Sequence, residues 1–147
     1  MLTLAPVTPD DPGFDVLLAQ SLAEDHRMLL RFAENWRSGS NRFARPGEFI
    51  LGATSGGILT GICGRNIDPY DPAPRAGRVR HLYVAPQSRH DGVGRFLIDA
   101  ICADAGQYFD YLNTNAPPAA FAFYERLGFQ PLPDTPHITH RRPLTSV

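Results

Sequence analysis

Between residues 13 and 37 apolar side chains recur at helical spacing, at Phe14, Leu17, Leu18 and Leu22, then at Leu29, Phe32, Ala33 and Trp36. That spacing predicts an amphipathic stripe. The polar run Ala23-Glu24-Asp25-His26-Arg27 interrupts it, so two short helices are expected rather than one. Asp11 and Pro12 supply an N-cap and a first-turn proline ahead of the first helix, and Ser38-Gly39-Ser40-Asn41 closes the second. Leu2 and Leu4 alternate with other residues and predict a short opening strand. Glu48–Ala53 and Ile58–Cys63 flank Thr54-Ser55-Gly56-Gly57, the pattern of a β-hairpin. Residues 68–77 are rich in proline and aspartate and read as an exposed loop, either a plain connection or a rim facing substrate. A strand over Val79–Val84 follows, then a glycine-bearing turn. Next comes a helix carrying Val93, Phe96, Leu97, Ala100 and Ile101 that stops at Gly106. Tyr108–Asn113 predicts a strand and residues 119–127 a helix introduced by Pro117-Pro118. Gly128 supplies a left-handed C-terminal position, letting Phe129 fold back on Phe123 or Tyr124. A last strand falls within 135–142.

Composition narrows the class without naming a function. The 147 residues suffice for a single domain with one core, and 43% are apolar. A formal net charge of −1 gives no reason to expect nucleic acid as a partner. No apolar run approaches the roughly eighteen residues of a membrane span, so no membrane partner is expected. The N-terminus carries neither a basic nor an apolar signal region, which leaves the cytoplasm as the default compartment. Cys63 and Cys102 fall in apolar surroundings on different elements and read as core thiols rather than a disulfide. No residue is assigned to a metal.

The chemistry concentrates in Arg89-His90-Asp91-Gly92-Val93-Gly94, between a strand and a helix. Gly92 permits a tight turn, and Gly94 permits close approach to the first helical turn. Unpaired N–H groups and the positive end of the helix dipole favour phosphate there, with Arg89 and Arg95 adding charge. The third glycine and later acid of a dinucleotide fold are missing, as is the Gly-Lys-Ser/Thr of a P-loop. The segment instead resembles the acetyl-CoA motif of the GNAT superfamily of N-acetyltransferases, Arg/Gln-x-x-Gly-x-Gly/Ala. A second stretch, Phe123-Tyr124-Glu125-Arg126-Leu127-Gly128-Phe129, is similar to that family's other signature.

The resemblance implies a mixed, mostly antiparallel α/β (α+β) sheet flanked by helices, with two central strands splayed apart. It implies acetyl-CoA as co-substrate. The backbone of Leu82, Tyr83 and Val84 would pair with the pantetheine arm, and the segment Arg89, His90, Asp91, Gly92, Val93, Gly94 and Arg95 would take the pyrophosphate. Tyr124 would donate to the departing sulfur, since a phenol with pKa about 10 keeps its proton at neutral pH. His81 stands where many members carry a catalytic Glu. It is open to two readings, a base acting directly or through water, or a hydrogen-bonded strand residue. Glu24, Asp25 and His26 lie where the family binds its acceptor, and equally read as a solvated turn. Pro117 replaces the Asn that often lies seven residues before the Tyr, leaving Asn115 or Asn113 as substitutes. Leu112 stands where acetylases of protein N-termini carry a Glu, which argues against that substrate. Cys63 and Cys102 lie away from both motifs in sequence, so direct transfer to a primary amine of a small molecule or peptide is expected. The alternative is a non-catalytic acyl-CoA-binding regulatory module on the same fold. The acceptor is not named by any residue pattern, and the resemblance also admits a homodimer.

Overall fold

The structure is a computed structural model and describes residues 1–145. The opening strand β1 (Leu2–Pro6) lies antiparallel to β2 (Phe49–Ser55). β2 turns back into β3 (Ile58–Ile67) through Gly56-Gly57, whose φ values of 58° and 79° make the two-residue primed turn that suits a hairpin. β3 pairs antiparallel with β4 (Ala76–Val84). A helix, α3 (Val93–Ala103), then crosses over to β5 (Tyr111–Thr114), which lies parallel to β4. β6 (Gln130–Pro131) and β7 (His140–Pro143) complete a seven-stranded sheet of order β1-β2-β3-β4-β5-β7-β6. The sheet is mixed and mostly antiparallel, as expected. Its one parallel contact is short, covering Ala76–Arg78 against Tyr111–Asn113. Beyond Arg78, β4 keeps β3 on one side and has no strand on the other among the described residues.

The two helical stripes cover one face. α1 (Phe14–Ala23) and α2 (Met28–Ser38) lay Phe14, Leu17, Leu29 and Phe32 against Ile50, Ile62 and Tyr83. α3 and α4 (Phe121–Arg126) cover the other, where Leu97, Ile98 and Ile101 pack with Cys63, Val79, Leu112, Tyr124 and Phe129. No helix of the described residues is long and apolar enough to cross a membrane.

One buried charge sets the direction of α3. Alternation along β3 puts Arg65 on the α3 face, where 2% of it is exposed. Its guanidinium donates to the carbonyls of Gly47 (2.8 Å) and Ile101 (2.6 Å) and to Asp104 (2.7 Å), and lies 4.3 Å from the centre of the Phe49 ring. Ile101 is in the last turn of α3, where carbonyls have no partner within the helix. A cation there satisfies the carbonyl and opposes the dipole. Arg65 therefore holds the C-terminus of α3 to the sheet and leaves the N-terminus aimed at the unpaired part of β4.

Several limits differ from the sequence expectation, each for a local reason. Asp11 does not cap α1: its carboxylate turns back to accept from the Thr8 N–H, and Gly13, at φ 88°, leads into the helix instead. β4 starts at Ala76, three residues early, because Gly77 lets Leu112 and Phe109 pack where a Cβ would meet them at 2.7–2.8 Å. Tyr108 and Phe109 are not in a strand. A 3-10 turn at Ala105–Gln107 tips Phe109 into the core, and β5 begins at Tyr111. Residues 135–138 form turns, so the last strand is shorter than expected.

Replacing Arg65 by Met keeps the bulk but strands the Ile101 and Gly47 carbonyls. Urea unfolding of Arg65→Met should show a loss of about 3 kcal/mol, in the range for breaking a buried charge-assisted network. An unchanged midpoint would mean that α3 is held by packing alone.

Candidate active site in the gap beside strand β4

β4 bends as it leaves β5. Arg80 pairs with Gly64 and Tyr83 with Ile62, so His81 and Leu82 together oppose the single Cys63. This is a β-bulge, and His81 carries its strain at φ 61°, a left-handed conformation that costs about 1–2 kcal/mol for a residue other than glycine. The turn after β4 is a 3-10 segment, Pro86–Ser88, followed by His90 at φ 70° and Gly92 at φ 81°. α3 starts at Val93 with no side chain capping its first amides. A Cβ on Gly92 would meet nothing within 4 Å, so glycine is needed there for its φ alone. Gly94 also has a packing role. Its missing Cβ admits the ring of Phe123 at 3.2 Å, with Val84 at 3.8 Å. The two sequence signatures therefore touch at this glycine.

Arg89 is exposed but engaged within the chain. It makes a two-pronged ion pair with Glu24 at 2.6 and 2.8 Å, and its Nε donates to the Val84 carbonyl at 3.2 Å. The Tyr83 hydroxyl donates to the same carboxylate at 2.6 Å. Hydrogen bonds from Arg89 and then Tyr83 pull the Glu24 carboxyl down to about 2, and the same carboxylate, with burial, pushes the Tyr83 phenol up. The break between α1 and α2 is thus tied to the glycine turn across 65 residues of sequence. His90 and Asp91 are exposed, Val93 is buried, and Arg95 is exposed with Asp99 at 3.8 Å.

Tyr124 comes from the end of α4, which closes in a Schellman turn. The Phe129 N–H donates to the Tyr124 carbonyl at 3.1 Å and the Gly128 N–H to Glu125 at 3.2 Å, with Gly128 at φ 89°. The Tyr124 ring meets Phe123 and Phe129 edge-on, each at 5.2 Å. Its hydroxyl neighbours Thr114 at the end of β5, and burial raises its pKa against the opposing pull of that side chain. Cys63 is not remote, as its position in the sequence implied: it lies opposite the bulge and its charge would be felt at Tyr124. Burial pushes the Cys63 thiol up, so it stays protonated, and Cys102 shifts the same way. Both are free thiols, Cys63 buried and Cys102 half-buried.

His81 turns to the opposite face. Its ring packs against Phe32 (5.8 Å) and Phe43 (5.9 Å), and its Nε2 is buried without a hydrogen-bond partner. Burial first, then the charges of Arg80 and Arg31, depress its pKa to about 3, so the imidazole is neutral at physiological pH. Asn113 is also committed elsewhere. Its amide donates to Asp68 (2.9 Å) and Asp71 (3.1 Å), while its carbonyl accepts from Arg141 (2.8 Å). Asn115 is exposed just past β5. The polar group on this face, Asn66, Asp68, Arg78, Arg80 and Asn113, went unrecognised in the sequence, where only the charges alternating at Arg78 and Arg80 hint at it. Among the described residues no group of three or more His, Cys, Asp or Glu could hold a metal. A concavity of about 590 Å³ lies between α4 and residues 131–140, and its lining holds neither Gly92, Gly94 nor Tyr124.

A model of the acetyltransferase (GNAT) domain matches residues 46–131, from ahead of β2 to β6. The chain belongs to the GNAT acetyltransferase family. A candidate acetyltransferase of Exiguobacterium sp. 255-15 is 30% identical, with a TM-score of 0.87 over 97% of this chain and 93% of that one. An acetyltransferase of the GNAT family from Streptococcus pneumoniae shares the fold at 18% identity and TM-score 0.73, over 99% and 100% of the two chains. So does a protein of Clostridium acetobutylicum described as a predicted acetyltransferase with acetyl-CoA, at 15% identity and 0.67, over 91% and 93%. No curated protein matches the chain. Membership in the GNAT family supports acyl transfer from an acyl-CoA donor to an acceptor.

The Glu24–Arg89 pair gives a pH signature. The folded carboxyl sits near 2 against an ordinary value of 4.5, so its stabilisation is complete above about 4.5 and lost as pH falls toward 2. Glu24→Gln should therefore melt below wild type at neutral pH, with the difference closing between pH 4.5 and 2. A difference in Tm that stays constant across that window would remove the ion pair as its cause.

Proposed function

We propose that the chain transfers an acetyl group from acetyl-CoA directly to a primary amine. What carries this reading is the unpaired edge of β4 beyond Arg78, with the uncapped start of α3 at its mouth and the Tyr124 hydroxyl beside Thr114. The fit is good on this chain's own features. An extended pantetheine arm needs backbone partners, and Leu82–Val84 have an edge free of any second strand among the described residues. A pyrophosphate needs oriented N–H groups, which the turn from Arg89 through Gly92, Val93 and Gly94 to Arg95 presents; with Arg89 paired to Glu24, most of the attraction comes from backbone and helix dipole. Asn115 lies at the other rim. The thioester supplies an acyl carbon already activated toward amines.

The atoms balance without a covalent enzyme intermediate. The amine nitrogen forms the C–N bond, the C–S bond breaks, the nitrogen loses a proton to water, and the sulfur is protonated. Tyr124 is placed in this reading as the donor to sulfur. Its raised pKa keeps it protonated, and a thiolate of pKa about 8.5 in the same dry surroundings is raised with it, which keeps donor and acceptor close. Cys63 stays a thiol and takes no acyl group. The neutral His81 cannot take and hold a proton near pH 7, so its part is positional, holding the bulge by its packing on Phe32 and Phe43.

Tyr124→Phe should still bind acetyl-CoA by calorimetry, while thiol release with an amine panel slows about 100-fold or more. Equal turnover would remove Tyr124 from the chemistry, and loss of acetyl-CoA binding by wild type would overturn the reading. His81 has its own check. Its ring proton signals should not move between pH 8 and pH 5 in a ¹H–¹³C NMR titration, and the pH–rate profile should carry no limb from it. A midpoint near 6.5 would restore it as a base.

A further inference from the structure

We infer that the acceptor amine carries an anionic group, a carboxylate or a phosphate, which Arg80 receives on the α2-covered face of β4. The inference rests on the acyl-transfer reading above and adds the acceptor's class to it. Alternation along β4, with the bulge, puts Arg78, Arg80 and His81 on the face opposite α3, where Asn66 of β3 stands beside Arg78 in register. Four buried side-chain polar atoms of the described residues have no hydrogen-bond partner. One is Gln20 Oε1, and the other three are Asn66 Oδ1, Arg78 Nη1 and His81 Nε2, on residues only 3%, 6% and 8% exposed. An unmet buried polar group costs about 1–3 kcal/mol, so three on one face mark a polar layer that something polar would complete, with the Asp68 carboxylate 3.6 Å from Arg78 Nη1.

Charge says what that something is. Arg78 has Asp68 at 3.6 Å, and Arg141 has Asp71 at 3.1 Å. Asp68 and Asp71 also take the Asn113 amide, and Asp71 accepts from the Tyr111 hydroxyl. Both local carboxylates are therefore engaged. Arg80 has no carboxylate within 4.0 Å among the described residues, and it is half-buried, with Arg78 and Arg31 as like-charged neighbours and Asp68, already paired to Arg78, opposing them from beyond that distance. A guanidinium in that position lacks a direct anionic partner, and its planar fork fits a carboxylate or phosphate two-pronged. Arg80 is two residues beyond the last β4–β5 pair, on the stretch of strand that borders the gap. An acid held there leaves the amine of a short linker to reach the gap itself.

The test uses the intact protein and named probes. Glycine, β-alanine, 4-aminobutyrate and phosphoethanolamine are compared with glycinamide, β-alaninamide and ethanolamine, with and without acetyl-CoA. The Nε–H cross-peak of Arg80 in ¹⁵N NMR, assigned by its loss in Arg80→Gln, reports binding without turnover. At least one anionic amine should shift that signal while its neutral counterpart does not. A preference in kcat/KM of about 100-fold for the anionic member should fall below tenfold in Arg80→Gln and recover in part in Arg80→Lys. The phosphate and carboxylate arms tell which anion is taken. No shift with any anionic amine, equal response to neutral amines, or a preference that survives Arg80→Gln overturns the inference. Titration of acetyl-CoA separates the two failures: wild type that does not bind it overturns the acyl-transfer reading, whereas normal binding with a silent Arg80 overturns the anionic acceptor alone.

Discussion

A parallel strand pair that stops after three residues is the constraint on which the rest of this molecule depends. Past Arg78 and Asn113 the backbone groups on one edge of β4 have no strand to meet among the described residues, in the middle of a sheet where they would ordinarily be paired. The chain keeps the edges apart with a bulge on β4, and fills the α3 side with the end of α4. The Arg65 guanidinium fixes the far end of α3, so its amide-rich end must face the opening. Thr114 and Tyr124 close the other side. Each of these would be a local defect in an unbroken sheet. Together they leave an open slot along the edge of β4.

Much of this was legible in the sequence where a residue type answers a local geometric demand. Gly56-Gly57, Gly92 and Gly128 all have the positive φ their positions called for, and the helical stripes bury the side chains their spacing selected. What stayed hidden depends on contacts between distant segments. Asp11 looks like a cap until Thr8 claims it. Tyr108 and Phe109 have strand-like character, but Phe109 is drawn into the core by the space over Gly77. In the site, the glycine turn and the Tyr124 motif could be read directly. Glu24 could not, since one acid in a polar turn carries no sign that it will meet Arg89 across 65 residues. His81 was ambiguous for the same reason: only the neighbouring rings of Phe32 and Phe43 reveal an imidazole held neutral.

The near-zero net charge conceals a strongly polarised interior. Arg65, Arg78, Arg89 and Arg141 each face a carboxylate, and Asp68 and Asp71 each serve more than one partner. Burying Arg65 and Arg78 brings a desolvation penalty that well-packed apolar residues would avoid, so their presence points to orientation rather than to stability. Around Cys63, Leu97 and Tyr124 the α3 face is apolar, and the α2 face of the same strands carries directional hydrogen-bonding groups.

The bulge has a further consequence for how this strand can change length. Arg80 and His81 share a face, while Leu82, Tyr83 and Val84 continue the ordinary alternation. His81 is thus a supernumerary residue: a chain shorter by that one position would keep every later side chain on its present face, with the ladder to β3 made regular. In most strands the loss of a single residue turns everything after it inside out. Here a one-codon deletion would leave the later register intact, and its effect on the core would be confined to the contacts of the His81 ring with Phe32 and Phe43.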